Sequence, residues 1–188
     1  METIFDYLED RRLSEQEFEA RHPHPFLIIE GALDLFEKDE FAFRTKSLEL
    51  DRTNWVDPIE ELHNDGKQLS ERSLELLIFK VAKKKESPYQ RRISIGRTNA
   101  SDITIPDKCI SKLHAHIEHD EKTGAYSIVD TESINGTKVN GVEIGADERR
   151  VLGYGDTIEL GSFIFKFISA ADLYQILRAA IVPSPVRP

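Results

Sequence analysis

Four short runs in the second half of the chain carry side chains suited to one kind of chemistry. They are Gly96-Arg97, Ser111-Lys112-Leu113-His114, Asn135-Gly136-Thr137 with Asn140-Gly141 close behind, and Gly155-Asp156. Arg97, Ser111, Lys112 and Asn135 supply a guanidinium, a hydroxyl, an ammonium and a carboxamide, a set rich in hydrogen-bond donors. Such a set suits an anion, and phosphate above all, because a guanidinium grips two oxygens at once. No member is a nucleophile accompanied by a base and an orienting partner, and Glu60 and Glu61 stand without either, so the expectation is a binding module and no enzyme. Metal is disfavoured too. A strand puts His114 and His116 on one face and His119 on the other, and neither they nor His22 and His24 gain a cysteine or carboxylate at ligand spacing. No cofactor is expected.

Taken singly, each residue has a plainer reading. An isolated arginine is a solvated charge, serine is a turn former, and Asn135 with Gly136 is a left-handed turn. The elements around them decide between the readings. From Leu74 the chain reads as many short strands: Leu74 to Val81, Ile93 to Gly96, Ala115 to Glu118, Tyr126 to Asp130, Thr157 to Leu160, and Phe163 to Phe167 with its three phenylalanines on one face. Val139-Asn140-Gly141-Val142 is a hairpin signal, since both central residues of a type I′ turn need positive φ. The pattern predicts a mainly β fold, a sandwich or barrel, and puts each polar run where a loop leaves a strand, the place where binding groups concentrate. Ser169 with Asp172 caps a final helix, expected to reach about Ile181 before prolines 183, 185 and 188, and its Leu173, Ile176 and Leu177 stripe is expected to pack on the sandwich edge.

The 188 residues carry a net charge of −9, unevenly spread. Residues 1–72 hold 19 acidic and 9 basic side chains (−10), 73–168 hold 14 of each, and 169–188 add +1. The organisation expected is therefore an acidic N-terminal extension of unknown fold (1–72), a β-sandwich (73–168), and a C-terminal helix with a proline-rich tail (169–188). The extension carries 8 of the 16 aromatics, too much apolar surface for a free tail. Within it Ile4, Tyr7 and Leu8 share a helical face, Ser14 and Glu17 form a capping box, His22-Pro23-His24-Pro25 stops the helix, and Phe26 to Glu30 and the Phe41/Phe43 alternation read as strands. The acidic balance argues against nucleic acid. The absence of a long apolar run argues against membrane insertion, and the single Cys109 and acidic start favour the cytoplasm.

Taken in order, G-R, S-x-x-H, N-G-T-x-V-N-G, L-x-x-G-D and a closing F-x-F resemble the forkhead-associated (FHA) domain family over roughly Leu74 to Ile168. Any one motif alone is weak; their order and spacing make the signal specific. The resemblance implies an eleven-stranded β-sandwich whose loops at one end bind phosphothreonine peptides. It implies that Arg97 holds the phosphate, Ser111 donates its hydroxyl to it, Lys112 adds a contact, and Asn135 bonds the peptide main chain. Gly96, His114 and Gly136 would be the loop scaffold. The implied role is an adaptor in serine/threonine kinase signalling whose partner is a phosphorylated kinase or kinase substrate. One residue departs from the pattern. Ile134 stands before the motif asparagine, where a polar residue is common, and its side chain cannot donate a hydrogen bond. It leaves room for the other reading, a phosphate-independent interaction scaffold.

Overall fold

The structure, a computed structural model, describes residues 2–29, 77–84 and 92–179. The expected Phe41/Phe43 strand, Glu60 and Glu61, and the terminal prolines lie outside these residues. Twelve strands are described: β1 (Glu2–Thr3), β2 (Phe26–Ile29), β3 (Leu77–Lys80), β4 (Arg92–Gly96), β5 (Ile103–Thr104), β6 (Ala115–His119), β7 (Tyr126–Asp130), β8 (Thr137–Val139), β9 (Val142–Ile144), β10 (Arg149–Leu152), β11 (Thr157–Leu160) and β12 (Phe163–Ile168). They form a seven-stranded sheet, ordered β1-β3-β2-β12-β11-β8-β9, and a five-stranded sheet, β10-β7-β6-β4-β5. The molecule is a mainly β sandwich.

Alternation builds the core between the sheets. In β12 Phe163, Phe165 and Phe167 point inward to meet Ile93, Ile95, Ile117 and Ile128 of the facing sheet. The β8–β9 hairpin turns at Asn140 (φ 52°) and Gly141 (φ 75°), the left-handed pair a type I′ turn requires, with Val139 opposite Val142.

The described part of the front, residues 2–29, joins this sandwich. β2 lies in the seven-stranded sheet between β3 and β12, with Phe26 opposite Ile168 and Ile28 opposite Ile78, and β1 pairs with β3 at the edge. Where the resemblance implies eleven strands, the described residues hold twelve, of which β1 and β2 come from the first 72 residues. The reason is in the side chains. Leu27 and Ile29 enter the inter-sheet core, while Phe26 and Ile28 point the other way into a second core. A four-residue run buried on both faces is satisfied only in the interior of a sheet covered on both sides.

That second core is roofed by helices. A 3₁₀ helix (Ile4–Arg12) contributes Ile4 and Tyr7, α1 (Glu15–Arg21) contributes Phe18, and α2 (Ala170–Ala179) contributes Leu173, Tyr174, Ile176 and Leu177. The stripe expected on the sandwich edge thus packs over the outer face of the larger sheet, shared with the front helices. Tyr174 Oη donates to Leu13 O at 2.8 Å. Both α-helices start on reciprocal caps: Ser14 with Glu17, and Ser169 with Asp172, whose amide donates to Ser169 Oγ at 3.0 Å. α1 stops at Arg21, ahead of Pro23 and Pro25. No helix among the described residues is long and apolar enough to cross a membrane.

Candidate functional site

The pairing of β4, β6 and β7 puts the end of β4, the start of β6 and the end of β7 side by side, with Ile95 opposite Ala115 and Ala115 opposite Asp130. Three loops therefore meet at one end of the sandwich: 97–102, 105–114 and 131–136. They carry Arg97, then Ser111 and Lys112, then Asn135.

Hydrogen bonds lock the loops to one another. The Arg97 amide donates to Ser111 O at 2.9 Å. Ser111 Oγ accepts the Ile134 amide at 3.1 Å, which leaves the hydroxyl proton free to donate outward. Asn135 Nδ2 donates to Cys109 O at 2.8 Å, and Asn135 Oδ1 has no partner among the described residues. His114, fully buried, spans all of this: Nδ1 accepts the Ser111 amide at 3.1 Å and Nε2 donates to Gly136 O at 3.1 Å. Those two bonds require the neutral imidazole protonated on Nε2. Gly136, at φ 74°, is the left-handed residue of the turn, and Asn135 is not.

Gly96 is demanded by a close approach. A Cβ there would lie 2.3 Å from Lys112 O and 2.7 Å from Ser101 Oγ. The loop that carries Ser111 and Lys112 therefore rests directly on the β4 backbone. We expect Gly96→Ala to lose about 1–3 kcal/mol of stability through overpacking against a main-chain atom; thermal denaturation beside the wild type checks this.

Exposed charge on the three loops is mostly positive. Arg97, Lys108 and Lys112 are exposed against a single exposed acid, Glu132. The Arg97 side chain makes no hydrogen bond or ion pair with any described residue. The two other acids on the loops, Asp102 and Asp107, are buried; Asp107 caps the Cys109 amide at 2.7 Å. Among the described residues the guanidinium is thus exposed and without a partner, on a loop bonded through its main chain to the one that carries Ser111 and Lys112; a guanidinium so presented can take an anion.

Residues 93–161 match the family model described as the FHA domain. This segment is an FHA domain. The chain is similar to the glycogen accumulation regulator GarA of Mycolicibacterium smegmatis, 35% identical over 80 residues that make up 43% of this chain and 48% of that protein. It is equally similar to the oxoglutarate dehydrogenase inhibitor of Corynebacterium glutamicum, 35% identical over 80 residues, 43% of this chain and 52% of that one. The chain thus spans about half the length of these curated relatives. Among solved structures, Mycobacterium tuberculosis EmbR in complex with a low-affinity phosphopeptide is 29% identical over 42% of this chain and 20% of that one, with a TM-score of 0.37.

Two carboxylates that position the FHA loops escaped the sequence reading. Asp102 is buried at the end of the Arg97 loop. Burial works to raise its pKa, but bonds from the Ser94 amide (2.8 Å), the Lys84 amide (2.8 Å), the Ser94 hydroxyl (2.8 Å) and Lys83 Nζ (3.1 Å) outweigh it and hold the group below the usual carboxylate value. Asp130, at the end of β7, accepts from the Ser133 amide, the Ser133 hydroxyl and Thr137 Oγ1 at 2.6–2.9 Å, so it shapes the loop that presents Ile134 and Asn135. The Asp130, Ser133, Thr137 spacing was a signal available in the sequence; the partners of Asp102 are too far apart in the chain to be one.

The remaining histidines and the cysteine serve the frame. His116 faces Glu118 at 3.3 Å, His119 stacks on Tyr126, and His22 bonds Asp10 at 2.8 Å. Among the described residues no three of His, Cys, Asp and Glu gather as a metal site. Burial pushes the Cys109 thiol up, away from the reactive thiolate. Burial also pushes His114 below the usual histidine value, against the opposing pull of the Gly136 carbonyl and Asp130, and it lowers His116 and His24 as well. The unfolded chain takes up these protons near pH 6.5, and the folded chain only at lower pH. Stability is therefore full above about pH 6.5 and declines as the pH falls below it. We expect a melting temperature lower at pH 5.5 than at 7.5, with a smaller difference in His114→Gln; equal values at the two pH settings contradict this.

Proposed function

We propose that this protein is a non-enzymatic adaptor that binds phosphothreonine peptides in serine/threonine kinase signalling. Its partner is a phosphorylated kinase or kinase substrate. In this reading Arg97 grips the phosphate, the Ser111 hydroxyl and Lys112 donate to it, and Asn135 Oδ1 takes a main-chain amide of the peptide. Gly96, His114 and Gly136 hold the loops in register.

The observation that carries the proposal is Arg97, exposed and without a side-chain partner among the described residues, its main chain bonded to that of Ser111 on braced loops of an FHA domain. A phosphate brings about −1.5 to −2 charges and three acceptor oxygens. Two or three charge-assisted bonds at about 1.5–3 kcal/mol each, less the cost of ordering the peptide, leave a phosphate-dependent gain of a few kcal/mol, about 10- to 1,000-fold in affinity. A gain of that size suits reversible signalling.

Titration calorimetry with matched phosphothreonine and unphosphorylated peptides tests the reading. Binding confined to the phosphorylated set supports it. Equal binding of both sets rejects it in favour of a phosphate-independent scaffold.

A further inference from the structure

We infer that Ile134 sets the sequence preference of the ligand, selecting an aliphatic or aromatic residue within two positions of the phosphothreonine. The inference rests on the phosphothreonine reading above and names the class of peptide that site takes.

Ile134 is 88% exposed, the most exposed large apolar side chain among the described residues. The others in that class, Val142, Val151 and Tyr154, are not residues of the three site loops; Ile134 lies on one of them, directly before Asn135. Its amide is fixed on Ser111 Oγ at 3.1 Å, so the residue that carries the apolar side chain is bonded through its main chain to the hydroxyl assigned to the phosphate. The main chain beneath it is rigidly held. Glu132 takes a left-handed φ of 55°, a conformation unusual for a residue with a side chain. Asp130 pins Ser133 through two bonds, and Asn135 is tied to Cys109 O.

A side chain already ordered at the rim gains contact with a ligand at little further entropic cost. It offers a charged flanking residue nothing but desolvation. Apart from the small Ala100, the other exposed residues on the three loops are polar or charged, so Ile134 is the large apolar side chain they offer a ligand.

The test is a peptide library with fixed phosphothreonine and randomised flanks, read on wild type, Ile134→Thr and Arg97→Ala. We expect wild type to prefer Leu, Ile, Val or Phe over the uncharged polar Ser or Asn at one flanking position by about tenfold, the scale on which apolar contacts discriminate. Ile134→Thr should flatten that position while keeping its binding to phosphothreonine. A flat wild-type profile, or a preference unchanged in Ile134→Thr, overturns the inference and leaves the binding reading standing. Failure of every phosphothreonine peptide to bind wild type overturns both.

Discussion

Replacing Arg97 with alanine is expected to reduce phosphothreonine-peptide affinity about 100-fold or more without loosening the fold. The guanidinium is assigned two charge-assisted bonds to the phosphate, each worth about 1.5–3 kcal/mol, and 1.4 kcal/mol is a factor of ten. Structurally the side chain contributes nothing that alanine removes. It is exposed and unpaired among the described residues, and the bond that registers the loops, to Ser111 O, comes from its main-chain amide. A surface substitution of that kind shifts stability by no more than about 0.5 kcal/mol. Arg97→Lys keeps the charge but loses the two-pronged grip, so its affinity should fall between the two. Calorimetry paired with a melting curve separates the effects: unchanged affinity in Arg97→Ala removes Arg97 from the site.

A fragment spanning residues 73–188 is expected not to fold. It contains every motif of the FHA segment and lacks β2. Without β2, β3 and β12 lose the strand between them, and the outer core loses Phe26 and Ile28 along with Ile4, Tyr7 and Phe18. Burial of Phe26, Leu27, Ile28 and Ile29 at about 1.5–3 kcal/mol each is comparable with the whole stability of a domain, about 5–15 kcal/mol. Circular dichroism on heating should show no cooperative transition. The milder Phe26→Ala, at about 3–5 kcal/mol, should melt early yet still bind peptide when cold. A fragment with a wild-type melting curve contradicts the placement of β2.

Local signals made much of this legible. Asn140-Gly141, the Phe163, Phe165 and Phe167 alternation and both serine caps each depend on neighbours a few residues away, and each stands where expected. Phe26 to Ile29 was readable as a strand but not as a central one, because its neighbours come from residues 77–80 and 165–168. β5, of two residues, and β10, an edge strand with alternate residues in solvent, give too little apolar pattern to register. At the site, donor types and motif order pointed to Arg97, Ser111 and Asn135, and His114 bonds the Ser111 amide and Gly136 O. That Asn135 spends one amide proton on Cys109 O needed coordinates, since nothing near residue 135 in the chain announces a partner at 109.

The pairing of residue 26 with residue 168 also bears on how the protein is made. β2 is synthesised well over a hundred residues before β12, its partner on one side. Until then its apolar faces have half a sheet to join. Contacts so distant along the chain slow folding toward the millisecond-to-second range, and the waiting strand presents an unpaired edge. The step that completes the sandwich thus waits for β12, and a growing chain stalled before Phe163 holds the Arg97, Ser111 and Asn135 loops without the strand that closes the larger sheet.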